Sequence, residues 1–323
     1  MSTRPGQALA LADHRPALPA FVAAAGARAK KRFVEFFTAQ IRNANTRVAY
    51  YHAVTQFLAW IQPLGLELGA VEPVHVATYI EQLGHRRSAP TVKQHLAALR
   101  HLFDYLVVGQ IVPVNPAAAV RGPKYSVAEC KTPILSAEDT RALFAHFCST
   151  VLADVRDRAL LGVMVYSFAR VSAVTKLKVK DYQRQGAQAW LLLDEKGGKQ
   201  RKVPVHHQAV AYLEQYLNLT GLREKPGTPL FRSLSHRGTV LTDTPLQRAN
   251  VFHMIRRRML TAGLTGDIGC HSFRGTGITN FLEHGGTLET AADIAGHAST
   301  KTTQIYDRRR SQVNQSEIER IRF

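Results

Sequence analysis

The stretch GHASTKTTQIY, residues 296–306, places His297 nine residues before Tyr306, and three arginines follow at positions 308–310. A tyrosine in such basic surroundings can be a core residue, a DNA contact or a nucleophile. A free phenol has a pKa of about 10, so a nucleophilic tyrosine needs nearby positive charge and a proton acceptor. The stretch alone leaves these three roles open for Tyr306, and the rest of the sequence has to distinguish them.

A second motif lies upstream, HSFRGTGITNFLEHG at residues 271–285. Its His271 and Arg274 are three residues apart, so a helix would put them on one face. Arg170 follows a hydrophobic, helix-like run, and Lys196 lies at a Lys/Gly turn. Taken singly, each has an ordinary explanation: a buried salt bridge for Arg170, a solvated turn for Lys196, and core packing for the histidines.

Together these residues supply what metal-free cleavage of a DNA phosphodiester requires. The pentavalent transition state carries negative charge on its non-bridging oxygens, and an arginine fork can grip two oxygens at once. A nucleophile must attack in line, and an acid must protonate the departing alkoxide. The sequence offers two arginines, a lysine, two histidines and a tyrosine for these tasks.

The order Arg, Lys, His-x-x-Arg, Gly-His and Tyr resembles the tyrosine recombinase (phage integrase) family over roughly residues 30–323. The resemblance implies an N-terminal helical core-binding domain of the SAM-like type and a C-terminal α+β catalytic domain, mainly α with a small antiparallel β-sheet. It implies a site-specific DNA recombinase or integrase, acting in integration, excision or resolution. By this resemblance Arg170 and Arg274 would clamp the scissile phosphate, and His297 would hydrogen-bond it.

The resemblance also implies how the reaction would proceed. Tyr306 would attack the phosphate and form a 3′-phosphotyrosine, with His271 as its acid/base partner. Lys196, on a β-hairpin, would protonate the 5′-hydroxyl leaving group. That hydroxyl from the partner duplex would reverse the step, so bond energy would be conserved and no cofactor, metal or ATP would be needed.

The sequence departs from the family pattern in two places. Relatives usually have an acidic residue three positions after the first arginine, whereas this chain has Ala173. Either another residue supplies the acid or the site tolerates looser geometry. Ile294 and Ala295 replace the usual leucines before the Gly-His pair, a change expected only to repack the core.

The hydrophobic pattern predicts two domains. Apolar residues recur with a helical period in TRVAYYHAVTQFLAWI, in VHVATYIEQLG, which ends at Gly84, and in APTVKQHLAALRHLFDYLVV, which has Pro90 in its first turn. The second domain opens at Ser136, a predicted N-cap, and contains a predicted hairpin over residues 189–205, to which KLKVKDY can add a third strand. We predict a flexible tail over 1–17, a helical core-binding, DNA-binding domain over 18–120, a linker over 121–135 and a catalytic domain with a C-terminal tail helix over 136–323.

Basic residues on the predicted helices of the first domain, opposite the apolar faces, are candidate DNA contacts. Solubilising charge is the alternative explanation for each of them. The candidates are Arg47, Arg86, Arg87, Lys93 and Arg100.

Composition points to a polyanionic partner. The chain has 323 residues, with 42 Lys and Arg against 24 Asp and Glu, a net charge of +18. This excess favours nucleic acid over an anionic membrane surface, because no apolar run is long enough to span a bilayer, and the resemblance implies that the nucleic acid is double-stranded DNA. Cys130, Cys148 and Cys270 lie far apart, which argues against a disulfide framework and a zinc site. We therefore expect a cytoplasmic, nucleoid-associated protein.

The segment after Tyr306 has two interpretations. Residues 311–323 either pack on their own domain or, as the resemblance implies, reach a neighbouring protomer and couple a tetramer on DNA. Accessory DNA-bending or partner recombinase proteins would be further partners. Two other functions stay open: a catalytically silent DNA-binding accessory protein of the same fold, and a type IB topoisomerase-like enzyme, which would relax DNA lacking a target site.

Overall fold

A computed structural model of the chain describes residues 18–126, 132–195, 198 and 200–308. The chain forms two compact units, the first of which ends at Ser126. The described residues are mainly helical, with two small antiparallel sheets in the second unit, which confirms the predicted fold class. The first unit contains α1 Ala20–Ala24, α2 Gly26–Glu35, a π-helical turn Phe36–Gln40, α3 Ala44–Ile61, 3₁₀ turns Gln62–Leu64 and Leu68–Ala70, α4 Pro73–Gly84 and α5 Ala89–Val108.

The three helices predicted for the first unit are confirmed. Helix α3 begins after Asn43, whose side-chain oxygen accepts a hydrogen bond from the Thr46 N–H at 3.1 Å and so caps the helix. Pro90 lies in the first turn of α5, where its missing N–H costs no hydrogen bond. The apolar faces of these helices enclose a core rich in phenylalanine, which includes Phe33, Phe36, Phe37, Phe57 and Phe103.

The segment after α5 packs onto the first unit. Val112, Ala117 and Val120 are buried in the same core. The Arg100 guanidinium donates hydrogen bonds to the carbonyls of Ala117, at 3.1 Å, and of Val120. These contacts attach residues 112–120 to α5, so the proline-rich stretch begins as part of the first unit.

The second unit is built around a buried helix. The elements described for it are α6 Ala137–Ala145, α7 Leu152–Tyr166, α8 Val171–Val174, β1 Tyr182–Gln185, β2 Gln188–Asp194, β3 Gln200–Pro204, α9 His207–Thr220, β4 Arg232–Ser235, β5 Val240–Pro245, α10 Arg248–Thr261, α11 Cys270–Glu283, α12 Leu288–Ala295 and α13 Thr300–Gln304, with 3₁₀ turns at Val179–Asp181, Leu222–Glu224 and His236–Gly238. Helix α7 packs against α9 and α11. Ser136 is the N-cap of α6, as predicted, because its hydroxyl accepts the Asp139 N–H at 2.9 Å.

Two arginines and a buried aspartate join α7 to α10. Asp157 is fully buried and accepts hydrogen bonds from Arg156 on its own helix. Its Oδ2 also accepts two hydrogen bonds from Arg258 of α10, from Nε at 2.8 Å and from a terminal nitrogen at 2.7 Å. Removing one partner of such a buried pair costs about 3–5 kcal/mol, so this cluster fixes the relative position of the two helices.

The predicted hairpin is confirmed, but the third strand is shifted. Strands β2 and β3 pair antiparallel, with Leu191 opposite Val203. KLKVKDY contributes only its last residue, Tyr182, to β1, because the Asp181 carboxylate accepts the Lys178 N–H at 2.8 Å and closes a 3₁₀ turn there. The β4–β5 pair was not predicted from the sequence.

Candidate active site

The loop after α7 turns sharply and positions Arg170. Phe168 has a φ of 52°, a left-handed conformation that costs a bulky residue about 1–3 kcal/mol. Its ring is buried in a small cluster with Ile278 and Leu282, which holds the turn in place. The Phe168 carbonyl accepts a hydrogen bond from Arg274. The backbone strain thus lies at the point where the two predicted phosphate-binding arginines approach each other.

Arg274 is buried on helix α11, which has two glycines, Gly275 and Gly277, where it packs closely against its neighbours. A Cβ at Gly277 would lie 2.0 Å from the Val165 carbonyl oxygen, and one at Gly275 would lie 2.9 Å from Cγ2 of Ile134. Arg274 is only 1% exposed, and its second terminal nitrogen donates to the Ala295 carbonyl at 2.7 Å. The two carbonyls hold the guanidinium in one orientation.

Gly296 caps the C-terminal end of α12, and His297 follows it directly. Gly296 has a φ of 62°, a left-handed conformation that favours glycine, and a Cβ there would also lie 2.9 Å from the Arg201 Nε. The His297 N–H donates to the Ala292 carbonyl at 2.9 Å. Its Nδ1 lies 2.8 Å from the Oγ1 of Thr303, which is fully buried.

Tyr306 follows α13 and is 3% exposed. Its carbonyl accepts a hydrogen bond from the Thr279 hydroxyl at 3.2 Å. Its ring lies nearly parallel to that of His297, with the centroids 6.2 Å apart and an interplanar angle of 11°. The phenol oxygen lies 2.8 Å from Nε2 of His271. The hydroxyl therefore contacts the residue predicted to exchange its proton.

Five of the six predicted catalytic residues form one cluster. The residues brought together are Arg170, His271, Arg274, His297 and Tyr306. Lys196 lies outside the described residues, as do Arg309, Arg310 and the segment 311–323. Arg308 is described and exposed.

The cluster is electrostatically positive, and this affects its histidines. Burial, followed by the charges of Arg274 and Arg170, lowers the pKa of His297 to about 4. The same causes, in the same order, lower the pKa of His271 from its ordinary value. Burial and the nearby Arg170 charge lower the pKa of Arg274 to about 10. At neutral pH both histidines are therefore neutral while Arg274 is charged.

Two further residues of the cluster were missed by the sequence analysis. Glu195, directly after β2, accepts hydrogen bonds from Arg170 at 2.6 Å and from Arg201 at 2.8 Å. Arg201 also donates to the Ile294 carbonyl. The signal for Arg201 was present in the sequence, because it lies two residues before the apolar Val203 in β3 and must face the same side of the sheet. Glu195 had no such signal beyond its position next to Lys196.

The substituted positions of the family pattern have distinct surroundings. Ala173 lies in α8, is 2% exposed and carries no group that could bind a guanidinium. Ala295 is fully buried and Ile294 is half-buried. The carbonyls of these last two residues accept hydrogen bonds from Arg274 and Arg201 respectively, so the backbone rather than the side chains serves the cluster.

The five candidate DNA contacts differ in their surroundings. Arg86, Arg87 and Lys93 are exposed. The Arg47 guanidinium donates twice to the Ile41 carbonyl, at 3.2 and 3.0 Å, and that of Arg100 donates to the carbonyls of Ala117 and Val120. The three exposed side chains are the ones that can meet a phosphate without giving up an internal hydrogen bond.

The part of the chain that the structure describes holds neither a metal-binding cluster nor a membrane-spanning helix. No group of three or more His, Cys, Asp or Glu side chains there is arranged to hold a metal ion. None of the helices described in the structure combines the length and the apolar character needed to cross a membrane.

Comparisons with known proteins agree with this architecture. Residues 134–312 match the model of the phage integrase family, and residues 31–111 match that of the phage integrase N-terminal SAM-like domain. Tyrosine recombinase XerD of Pseudomonas aeruginosa is 31% identical over 270 residues, which cover 81% of this chain and 86% of that protein. XerD of Chlorobaculum tepidum is 27% identical over 284 residues, covering 85% of this chain and 89% of that protein.

Solved structures share the fold. The XerH site-specific recombinase bound to a palindromic difH substrate has a TM-score of 0.69 at 20% identity, covering 91% of this chain and 84% of that one. A lambda integrase tetramer bound to a Holliday junction has a TM-score of 0.65 at 16% identity, covering 98% of this chain and 84% of that one. The chain belongs to the phage integrase family of tyrosine recombinases, because the family model matches more than half of its length and XerD relatives match both units.

Proposed function

We propose that this chain cleaves and rejoins duplex DNA at a specific site, with Tyr306 as the nucleophile. The observation that carries the proposal is the 2.8 Å contact between the Tyr306 hydroxyl and Nε2 of His271, inside a cluster that also contains Arg274. A phenol poised against an imidazole and near fixed positive charge is what nucleophilic attack on a phosphodiester requires.

His271 would take the proton of the nucleophile. Its pKa is lowered by burial and by the charges of Arg274 and Arg170, so the imidazole is neutral at neutral pH, and in the tautomer that carries its proton on Nδ1 the Nε2 atom accepts from the phenol. The attack would form a bond between the phenol oxygen and phosphorus and break the bond to the 5′ oxygen. Lys196 would protonate that leaving group, a role that rests on the resemblance to the family.

Arg170 and Arg274 would bind the scissile phosphate. A guanidinium has five N–H donors, and within the described residues Arg274 uses two of them on backbone carbonyls. Its Nε is buried without a hydrogen-bond partner in the same part of the chain. Donors that the protein leaves unmatched favour an anionic ligand, because a phosphate oxygen would satisfy them.

His297 would donate a hydrogen bond to the same phosphate. With a pKa of about 4 the ring is neutral, so only one of its nitrogens carries a proton. Nε2 can donate only if Nδ1 accepts from the Thr303 hydroxyl 2.8 Å away. We therefore assign Thr303 the task of fixing the tautomer of His297.

The proposed partner is double-stranded DNA, bound by the first unit through Arg86, Arg87 and Lys93 and, with some loss of internal hydrogen bonds, Arg47 and Arg100. DNA as substrate implies action in the cytoplasm, at the nucleoid. By analogy with the lambda integrase tetramer on a Holliday junction, we propose that four copies assemble on DNA. Residues 311–323 would join neighbouring copies, and their deletion is then expected to weaken cooperative assembly more than binding to a single site.

Formation of a covalent adduct tests this proposal. Wild-type protein and the Tyr306→Phe variant are mixed with DNA from the flanks of the gene, without magnesium, and stopped with detergent. Wild type is expected to form protein-linked DNA and the variant none. The control is Tyr212→Phe, because Tyr212 is a half-buried tyrosine that stacks on Phe144. An adduct that persists in Tyr306→Phe would show that another residue is the nucleophile.

A further inference from the structure

Glu195 links two arginines at the edge of the proposed catalytic cluster. One carboxylate oxygen accepts from Arg170 at 2.6 Å and the other from Arg201 at 2.8 Å. The Glu195 side chain is 9% exposed and that of Arg201 is 15% exposed, while that of Arg170 is 40% exposed. The carboxylate is therefore largely withdrawn from water, and of the two arginines that it binds, Arg170 has the more accessible side chain.

The contacts of Glu195 are part of a closed ring. Arg201, which donates to the Glu195 carboxylate, also donates to the Ile294 carbonyl. The carbonyl of the next residue, Ala295, accepts a hydrogen bond from Arg274. Arg274 returns to the Phe168 carbonyl, two residues before Arg170. Of the links in this ring, the carboxylate alone carries negative charge. The ring therefore couples the position of Arg170 to the two segments that carry Arg274 and His297.

The charge of the carboxylate is needed in this ring. Burial by itself would raise the pKa of Glu195, but hydrogen bonds and attraction from Arg201 and Arg170 outweigh burial and hold the pKa below its usual range. The carboxylate is ionised at neutral pH as a result. Without this negative charge, the mutual repulsion of the guanidinium groups of Arg170, Arg201 and Arg274 would be less well balanced, and each would be less well oriented.

Position 173, where relatives usually have an acidic residue, has no carboxylate in this chain to bind Arg170. Ala173, one turn after Arg170, is buried and has no carboxylate. Resting on the proposed function, we propose that Glu195 is a positioning residue that orients Arg170 toward the scissile phosphate, in place of the acidic residue that position 173 lacks.

The test separates orientation of Arg170 from folding and from DNA binding. The variants are Glu195→Gln, which removes the charge at constant shape, and Glu195→Asp, which keeps the charge on a shorter arm. The matched control is Glu214→Gln, because Glu214 also pairs with two arginines, Arg184 and Arg223. Full-length proteins are saturated with the flanking DNA that yields the wild-type adduct, and the single-turnover rate of adduct formation is measured beside DNA affinity and melting temperature.

We expect Glu195→Gln to lower the adduct rate about 100-fold, the loss typical of a misplaced catalytic group, while DNA affinity changes by less than about threefold. Glu195→Asp should retain at least about ten times more activity than Glu195→Gln, and Glu214→Gln should be within about twofold of wild type. A Glu195→Gln rate equal to that of wild type would overturn the inference and leave the proposed function standing. Absence of an adduct from wild type would instead count against the proposed function.

A second set of variants introduces a carboxylate at position 173, with and without the one at position 195. Ala173→Glu in the wild type is expected to bring no gain, because Glu195 already occupies Arg170. In the Glu195→Gln background the same change should restore at least about tenfold of the missing rate, a coupling that a merely structural residue would not show. If the double variant folds but forms the adduct no faster than Glu195→Gln, the proposal that Glu195 replaces an acidic residue at position 173 is contradicted. If the double variant does not fold, the Asp-against-Gln difference remains the deciding measurement.

Discussion

At the scale of single residues, neighbouring charges give the histidines of the cluster their chemistry. His271 and Tyr306 are 35 positions apart in the chain, yet Nε2 of the one lies 2.8 Å from the hydroxyl of the other. Burial is the largest cause of the lowered pKa of that imidazole, and the charges of Arg274 and Arg170 lower it further. The same arginines that would bind the phosphate therefore keep the proposed base ready to accept a proton.

The lowered pKa of His271 predicts the pH dependence of cleavage. Below its pKa the imidazole is protonated and cannot accept from Tyr306, so the single-turnover rate should fall only as the pH drops below the ordinary histidine value of about 6.5. At pH 6.5 wild type should thus keep at least about half of its maximal rate. His271→Gln should be about 100-fold slower and lack this acidic limb. A His271→Gln rate profile with the wild-type limb would contradict the role of His271.

The residues of the site differ in how far the sequence predicts them. His271 and Arg274 are marked by short spacing on one helix, and Tyr306 by its distance from His297, so local motifs are sufficient. Glu195 acts through an ion pair with Arg170, which lies 25 positions earlier. No local pattern reports such a pair, because it depends on how the hairpin folds back onto the start of α8.

At the scale of secondary-structure elements, glycines decide how closely α11 approaches its neighbours. Gly277 sits where a side chain would meet the Val165 carbonyl and the Phe168 ring, the latter at 2.8 Å. Since Arg274 lies one turn earlier and bonds to the Phe168 carbonyl, the spacing between α7 and α11 also sets the position of the guanidinium.

Gly277→Ala should therefore damage both stability and the site. A methyl group against a backbone carbonyl cannot be accommodated by rotation of a side chain, so we expect a loss of about 2–3 kcal/mol in the free energy of unfolding, measured by denaturant titration. Gly227→Ala is the control, because nothing lies within 4 Å of a Cβ there and its φ is not positive. Equal stability of the two variants would show that α11 can move away without cost.

The secondary-structure elements also differ in how far their sequences predict them. Helices α3 and α5 are long and have their buried residues at helical spacing, and Pro90 marks the first turn of α5. Strand β5, in contrast, is polar and mostly exposed, so it lacks the apolar alternation by which a strand is recognised. The third strand of the first sheet is displaced because Asp181 caps a turn, which competes locally with extension.

At the scale of the whole molecule, the net charge of +18 is the property that concerns DNA. Binding of phosphates releases counterions, so the affinity should fall steeply with salt. The triple variant Arg86→Ala, Arg87→Ala, Lys93→Ala should reduce the slope of log affinity against log salt by about 0.9 for each phosphate that the variant no longer neutralises. Lys31→Ala is the control, because Lys31 is exposed in the same unit but pairs with Glu35. An unchanged slope in the triple variant would remove these residues from the interface.

Identification of the residue that is linked to DNA would decide most directly whether Tyr306 is the nucleophile. The wild-type adduct is digested with nuclease and trypsin, and the peptides are analysed by mass spectrometry. We expect a nucleotide attached through phosphate to Tyr306, in the tryptic peptide TTQIYDR, residues 302–308. A nucleotide attached to any other residue would contradict the assignment of Tyr306 as the nucleophile and of His271 as its proton acceptor.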